Sequence, residues 1–128
     1  MKKTILTVLI IMAVIFGLYK ITSQRPASVN TDYQNFDFIL FYGNTCPHCK
    51  VVEEYISKNE VDKKLKINNF EVYDNQKNSS LFSSMVKEIC PDQSSPQGLP
   101  VPFLIDQKDK KCLIGDTPII DYLTEKTK

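Results

Sequence analysis

The segment FDFILFYGNTCPHCK, residues 36–50, determines how the whole chain is interpreted. Residues 36–43 form a short apolar run that is rich in aromatic and branched side chains and ends at a glycine, the pattern of a buried β-strand. Over residues 47–59 apolar side chains recur every three or four positions, which predicts an amphipathic helix. Cys46 and Cys49 therefore lie where a helix begins directly after a buried strand.

The spacing of these two cysteines predicts reversible thiol chemistry. One helical turn brings the two sulfurs close enough for a disulfide. Cys46 lies at the helix N-terminus, where unpaired backbone N–H groups and the helix dipole stabilise a thiolate. Cys49 is in register with Val52 and Ile56, so we expect it to face the core. We therefore predict that Cys46 is the exposed attacking thiolate and that Cys49 resolves the mixed disulfide.

The two residues between the cysteines fit this interpretation. Pro47 suits the first helical position, where its missing N–H has no intrahelical partner. A cationic His48 adds positive charge beside the thiolate and lowers the pKa of the Cys46 thiol further. A stabilised thiolate stabilises the reduced form, so the pair becomes more oxidising. Cys46, Pro47, His48 and Cys49 are the candidate catalytic residues.

A Cys-x-x-Cys motif can also bind metal or haem or form a structural disulfide. A zinc site would need Cys90 and Cys112 as its second half, but these are 22 residues apart and form no second motif. A c-type haem site needs histidine where Lys50 stands. We predict no metal site and no cofactor, while a purely structural disulfide remains an alternative.

The remaining elements continue the alternation of strands and helices. We expect a strand at residues 69–74, a helix that Asn78 caps and Pro91 ends, and a loop over residues 91–100. A hairpin over residues 101–114 and a last helix after Gly115 complete the order β-α-β-α-β-β-α. This order predicts an α/β three-layer sandwich with a mixed sheet between layers of helices.

The N-terminus has the pattern of an export signal. Lys2 and Lys3 precede sixteen uncharged, mainly apolar residues, and Lys20 follows them. An uncleaved transmembrane anchor over residues 1–21 is favoured over a cleaved signal peptide, because no small-residue cleavage site is evident. A polar linker over residues 22–35 then leads to a domain over residues 36–128. The positive-inside rule places that domain outside the cytoplasm, at the cell membrane, or secreted if the signal is cleaved.

Charge excludes one broad class of function. Residues 1–25 carry a local charge of +4, and the remaining residues carry −3. A nucleic-acid-binding domain needs a basic face, so we expect no nucleic-acid partner.

With these motifs in place, the chain resembles the thioredoxin superfamily over residues 36–125, and most closely its short glutaredoxin-like branch. The resemblance rests on the FILFYG strand, the Cys46–Cys49 loop and the sequence VPFLI over residues 101–105. It implies that the Val101–Pro102 bond is cis, and that Val101 and Pro102 lie opposite the dithiol and bind substrate backbone. Gly115 and Asp116 partly match the glutathione-binding turn of that branch. The buried acid of thioredoxin reductants falls on Leu40.

Cys90 and Cys112 require a separate account. In an oxidising compartment, two remaining cysteines suggest a second, structural disulfide, which would add roughly 3 kcal/mol in the chain-entropy model. Two unconnected, buried thiols are the alternative.

The sequence thus predicts a membrane-tethered, monomeric thiol–disulfide oxidoreductase that acts outside the cytoplasm. Its expected partners are the thiols and disulfides of exported proteins and a redox protein of the membrane, and the direction of electron flow is open. The alternative is a soft-metal (copper) chaperone or a non-catalytic binding module of the same fold.

Overall fold

The structure is a computed structural model that describes the following residues: 12, 14, 16, 31–95 and 97–128. The chain divides into two units, Met1–Asn30 and Thr31–Lys128. In the first unit, the three described residues are helical and exposed. The second unit contains the strands, the other helices and all four cysteines.

The predicted membrane anchor falls mainly outside the described part of the chain. No helix that the structure describes is both long enough and apolar enough to cross a membrane. An anchor over residues 1–21 therefore stays a prediction.

Four strands form one mixed sheet: β1 (Phe38–Tyr42), β2 (Ile67–Glu71), β3 (Phe103–Asp106) and β4 (Lys111–Ile114). Their order across the sheet is β2-β1-β3-β4; β2 runs parallel to β1, and the other two pairs are antiparallel. The first four residues of β1 and all four of β3 are buried, because helices cover both faces of these central strands.

The helices are α1 (Pro47–Lys58), α2 (Val61–Lys64), α3 (Gln76–Ile89) and α4 (Asp116–Lys126). Side chains of α1, α2 and α4 pack against one face of the sheet, and those of α3 pack against the other. The predicted order of strands and helices is confirmed, with α2 as an addition. A left-handed residue, Glu60 (φ 52°), turns the chain into α2, which buries Val61.

The start of α3 differs from the prediction. Asn75, not Asn78, caps the helix: its side-chain oxygen accepts hydrogen bonds from the N–H groups of Lys77 and Asn78, at 3.1 and 3.2 Å. The Asn78 amide instead donates to the carbonyl of Glu71 at 2.8 Å. The strand before it is also displaced, and β2 ends at Glu71 rather than at Asp74, because the next residues turn back towards the Glu71 carboxylate.

The folded unit begins before residue 36. A short 3-10 helix, Thr31–Asn35, precedes β1, and Tyr33 packs against the core together with Phe36. The Gln107 amide donates to the carbonyls of Tyr33 and Phe36, at 2.9 and 2.6 Å. Residues 31–35, which the sequence assigns to the linker, therefore attach to the turn between β3 and β4.

Candidate functional site

The sheet places the cysteine motif beside the predicted substrate loop. The motif follows the end of β1, and Phe41 of that strand pairs with Phe103, the first residue of β3. Because β1 and β3 are antiparallel, Pro102 lies at the same edge of the sheet as the motif. The N–H of Gly115 donates to the Pro102 carbonyl at 3.0 Å, which brings the start of α4 to this edge as well.

Cys46 is the N-cap of α1. The N–H of Cys46 donates to the carbonyl of Gly43 at 3.0 Å, which closes the turn between β1 and α1. The Cys46 Sγ accepts a hydrogen bond from the N–H of Cys49 at 3.2 Å, and Pro47 occupies the first turn. A side-chain acceptor at the N-cap satisfies an unpaired donor of the helix. The same N–H and the helix dipole stabilise negative charge on Cys46 once the pair is reduced.

Cys46 and Cys49 are paired in the structure, with their Cα atoms 5.3 Å apart, within the range of a disulfide. Cys49 is fully buried, as its register with Val52 predicts. The prediction that Cys46 is exposed is wrong, because only 6% of it is accessible to solvent. Its N-cap position turns the sulfur back over α1, where the carbonyl oxygen of Val101 lies 3.6 Å from Sγ.

The predicted substrate loop has the backbone conformation that the resemblance implies. The Val101–Pro102 bond is cis. Val101 is half-buried, and Pro102 is buried. The contact between the Val101 carbonyl and Cys46 Sγ joins two segments that are 55 residues apart in the sequence.

His48 has a partner that the sequence did not reveal. Its Nδ1 lies 2.9 Å from Oδ2 of Asp116, the first residue of α4, and the His48 side chain is 70% exposed. The hydrogen bond from His48, supported by the N–H of Thr117, holds the pKa of Asp116 below its ordinary value. The contact that the structure gives for the His48 imidazole is therefore with Asp116. Only the folded chain brings together these two residues, which are 68 positions apart.

Leu40 stands at the position where the resemblance would lead one to expect the buried acid of thioredoxin reductants. Leu40 is fully buried in the core on the side of α1. The buried acid among the described residues is Asp106, which pairs with Phe38 at the opposite end of β1. Its carboxylate accepts from the Tyr122 hydroxyl at 2.9 Å and caps the turn between β3 and β4.

Cys90 and Cys112 are also paired in the structure, with their Cα atoms 6.3 Å apart. Cys90 is the C-cap of α3, whereas Cys112 lies in β4, so this pair joins the last helix turn to an edge strand. Within residues 31–95 and 97–128, no three histidine, cysteine or acidic side chains group as a metal site would require.

No known protein-family model matches this chain, and no curated protein matches it significantly. The fold and the site therefore define its class by themselves. The chain contains a small α/β domain with a mixed four-stranded sheet and a Cys-x-x-Cys pair at a helix N-terminus. This arrangement is compatible with a thioredoxin-like fold and with redox chemistry at Cys46 and Cys49.

Proposed function

We propose that this chain is a thioredoxin-like thiol–disulfide oxidoreductase that exchanges disulfides with protein substrates through Cys46 and Cys49. The observation that carries the proposal is the hydrogen bond of 3.2 Å from the N–H of Cys49 to the Cys46 sulfur at the start of α1. A low-pKa thiol next to a second thiol is what reversible exchange requires.

The reaction begins with the oxidised pair. A substrate thiolate attacks Cys46 Sγ, the bond between the two cysteines breaks, and Cys49 leaves as a thiolate that takes up a proton. The second thiol of the substrate loses its proton and attacks the mixed disulfide, and Cys46 leaves as a stabilised thiolate. The substrate loses two electrons and gains a disulfide, and the Cys46–Cys49 pair is reduced. The reverse sequence reduces a substrate disulfide.

The position of Val101 supports a polypeptide as substrate. Its backbone carbonyl lies 3.6 Å from Cys46 Sγ, beside the sulfur that forms the mixed disulfide. An extended substrate segment can pair with this backbone while its cysteine reaches Cys46. Val101 and Pro102 are therefore the proposed substrate-binding residues.

The direct test uses the purified full-length chain and a reduced polypeptide that carries two cysteines. We expect the oxidised protein to form a disulfide in this substrate and to become reduced in equal amount. A protein that exchanges no disulfide, but binds Cu(I) tightly when reduced, would favour the soft-metal chaperone instead.

The charge on His48 predicts a change in reduction potential. In His48→Tyr, we expect the Cys46–Cys49 disulfide to be harder to reduce, because the side chain that stabilises the Cys46 thiolate when it is cationic is lost. A tenfold change in the equilibrium constant corresponds to about 30 mV, so equilibration with glutathione buffers resolves a shift of that order.

Asp116→Asn is the complementary variant for this test of the reduction potential. Removal of the Asp116 carboxylate takes away the negative charge that lies 2.9 Å from His48 Nδ1, so less negative charge opposes the Cys46 thiolate. The potential should then move in the opposite direction. An unchanged potential in His48→Tyr would contradict the assigned role of His48.

We further propose that the domain works outside the cytoplasm, held at the membrane by residues 1–21, as a monomer that receives or delivers electrons through a membrane redox partner. The basic start and the apolar run of residues 4–19 support this location.

The proposed location is tested with a reporter fused after Lys128. We expect the reporter to be active only outside the cytoplasm, and the protein to remain with the membrane fraction. Release of a form about twenty residues shorter would indicate signal cleavage, and reporter activity inside the cytoplasm would contradict the location.

A further inference from the structure

The carboxylate of Glu71 lies at the same edge of the sheet as the dithiol. Glu71 is the last residue of β2 and pairs with Tyr42, the last residue of β1. Because these two strands are parallel, the segments that follow them both leave the sheet at this edge.

The residues that follow Glu71 wrap around its carboxylate. Oε1 accepts from the N–H of Tyr73 at 2.7 Å, and Oε2 accepts from those of Asp74 and Asn75 at 3.0 and 3.1 Å. Asn75 in turn caps α3. Glu71 therefore fixes the path of the chain between β2 and α3.

The segment before the dithiol contacts the turn that the residues after Glu71 form. The N–H of Asn44 lies 3.5 Å from Glu71 Oε1, and the Asn44 side-chain amide donates to the Asp74 carboxylate. The ring of Tyr73 lies so close to Gly43 that a β-carbon at this position would overlap the ring. Three contacts thus join residues 43 and 44 to residues 71–74.

The charge state of Glu71 agrees with this geometry. Partial burial works to raise the pKa of Glu71, but hydrogen bonds from the N–H groups of Tyr73, Asp74, Asn44 and Asn75 outweigh it and lower the pKa below its ordinary value. The carboxylate is therefore charged at neutral pH and accepts strong, charge-assisted hydrogen bonds.

We propose that Glu71 is a positioning residue for the dithiol. It holds residues 43 and 44 in place, so that Cys46 Sγ keeps the hydrogen bond that it accepts from the N–H of Cys49. Few contacts link Glu71 to Cys46. The carbonyl of Gly43 accepts a hydrogen bond from the N–H of Cys46 at 3.0 Å, and this bond fixes the position of the Cys46 sulfur at the helix N-cap. The inference rests on the proposed function, since it concerns the reactivity of the same cysteine.

Two possible physical roles of Glu71 predict opposite changes in the pKa of the Cys46 thiol when Glu71 is replaced. If Glu71 positions the loop, its loss lets Cys46 Sγ leave the helix N-terminus, and the pKa of the Cys46 thiol rises. If its negative charge acted directly on the thiolate, its loss would remove a repulsion, and that pKa would fall.

The test measures the alkylation rate of Cys46 against pH in the reduced full-length chain, with the modified cysteine identified by mass spectrometry. In Glu71→Ala we expect a higher pKa of Cys46 and alkylation about three-fold slower, or more, at a pH below that pKa. Glu71→Gln keeps Oε1, the oxygen that accepts from Asn44 and Tyr73, so it should restore part of the rate. Glu88→Ala, at an exposed position of α3, is the matched control and should behave as the wild type.

Asp74→Ala provides a second, milder variant in case Glu71→Ala does not fold. It removes the partner of the Asn44 amide and leaves the Glu71 carboxylate in place, so the pKa of Cys46 should rise by a smaller amount. An equal fall of the Cys46 pKa in Glu71→Ala and Glu71→Gln would overturn the proposal. An unchanged pKa in folded Glu71→Ala, or in Asp74→Ala where the first variant does not fold, would overturn it as well.

These outcomes are separate from the failure of the proposed function. Alkylation reports the Cys46 thiolate whether or not the protein exchanges disulfides. A wild-type chain that oxidises no dithiol substrate would contradict the proposed function. The alkylation rates of the Glu71 variants would still decide whether Glu71 positions Cys46.

Discussion

In the Cys49→Ser variant, the Cys46 thiolate should attack protein disulfides, release one protein sulfur as a thiolate and remain joined to the other sulfur in a mixed disulfide that accumulates. In the wild-type chain, Cys49 resolves such an intermediate by attacking it from within the same helical turn, and the serine hydroxyl cannot do so. We expect covalent adducts on non-reducing gels that disappear with reductant. Cys46→Ser should form none of them and should lose exchange activity by at least about a hundredfold, because the sulfur that carries the mixed disulfide in both directions of exchange is absent.

The order of alkylation is an independent measurement of the same assignment. Cys46 should be modified first in the reduced wild-type chain and should have a pKa below that of a free thiol, because its sulfur accepts the N–H of Cys49 at the helix N-terminus. The 6% exposure of Cys46 against full burial of Cys49 favours the same order. Faster modification of Cys49 would contradict both the assignment and the mechanism derived from it.

Loss of the second disulfide should lower stability strongly. The pair Cys90–Cys112 spans 22 residues, so its removal by Cys90→Ser and Cys112→Ser should cost roughly 3 kcal/mol in the chain-entropy model. For a domain of this size, that change lowers the melting temperature by about 10 °C or more. Thermal unfolding of the oxidised proteins measures it. Cys46→Ser with Cys49→Ser is the control and should cost less, because that disulfide closes a loop of only three residues.

The two disulfides should also differ in their resistance to reduction. Cys46 is at the N-terminus of a helix, whereas Cys90 is at the C-terminus of one and is 8% exposed. Both the dipole and the apolar surroundings disfavour a thiolate at Cys90. With increasing dithiothreitol, Cys46–Cys49 should open first and Cys90–Cys112 last. Reduction in the reverse order, or a melting temperature unaffected by loss of Cys90–Cys112, would show that this pair is not a structural disulfide.

Local sequence patterns predicted the architecture well. The apolar run before Gly43 becomes the central strand β1, and the register of Cys49 with Val52 correctly places it in the core. These features depend on periodicity and on the chemistry of helix ends, which short segments encode. The helix α2 was missed because four residues are too few to show a period. The structure caps α3 with Asn75 instead of the predicted Asn78, and residue type does not separate the two because asparagine is a good capping residue at either position.

The contacts that refine the site could not be predicted in this way. His48 meets Asp116, and Asn44 meets Glu71, only because the sheet order brings the ends of distant segments to one edge. The low exposure of Cys46 likewise depends on the Val101 carbonyl, 55 residues away. Residue types identified the reactive groups, whereas the tertiary arrangement determines their partners.

Residues 31–35 attach to the turn between β3 and β4, so the chain enters the domain at one end and the dithiol lies at the other. The chain enters the domain at the end of β1 opposite to Cys46, with the five residues of β1, about 16 Å of extended backbone, between them. Residues 31–35 therefore lie at the end of the domain away from the Cys46 sulfur. Under the proposed function, the segment before the domain can therefore be exchanged without rebuilding the surface around Cys46.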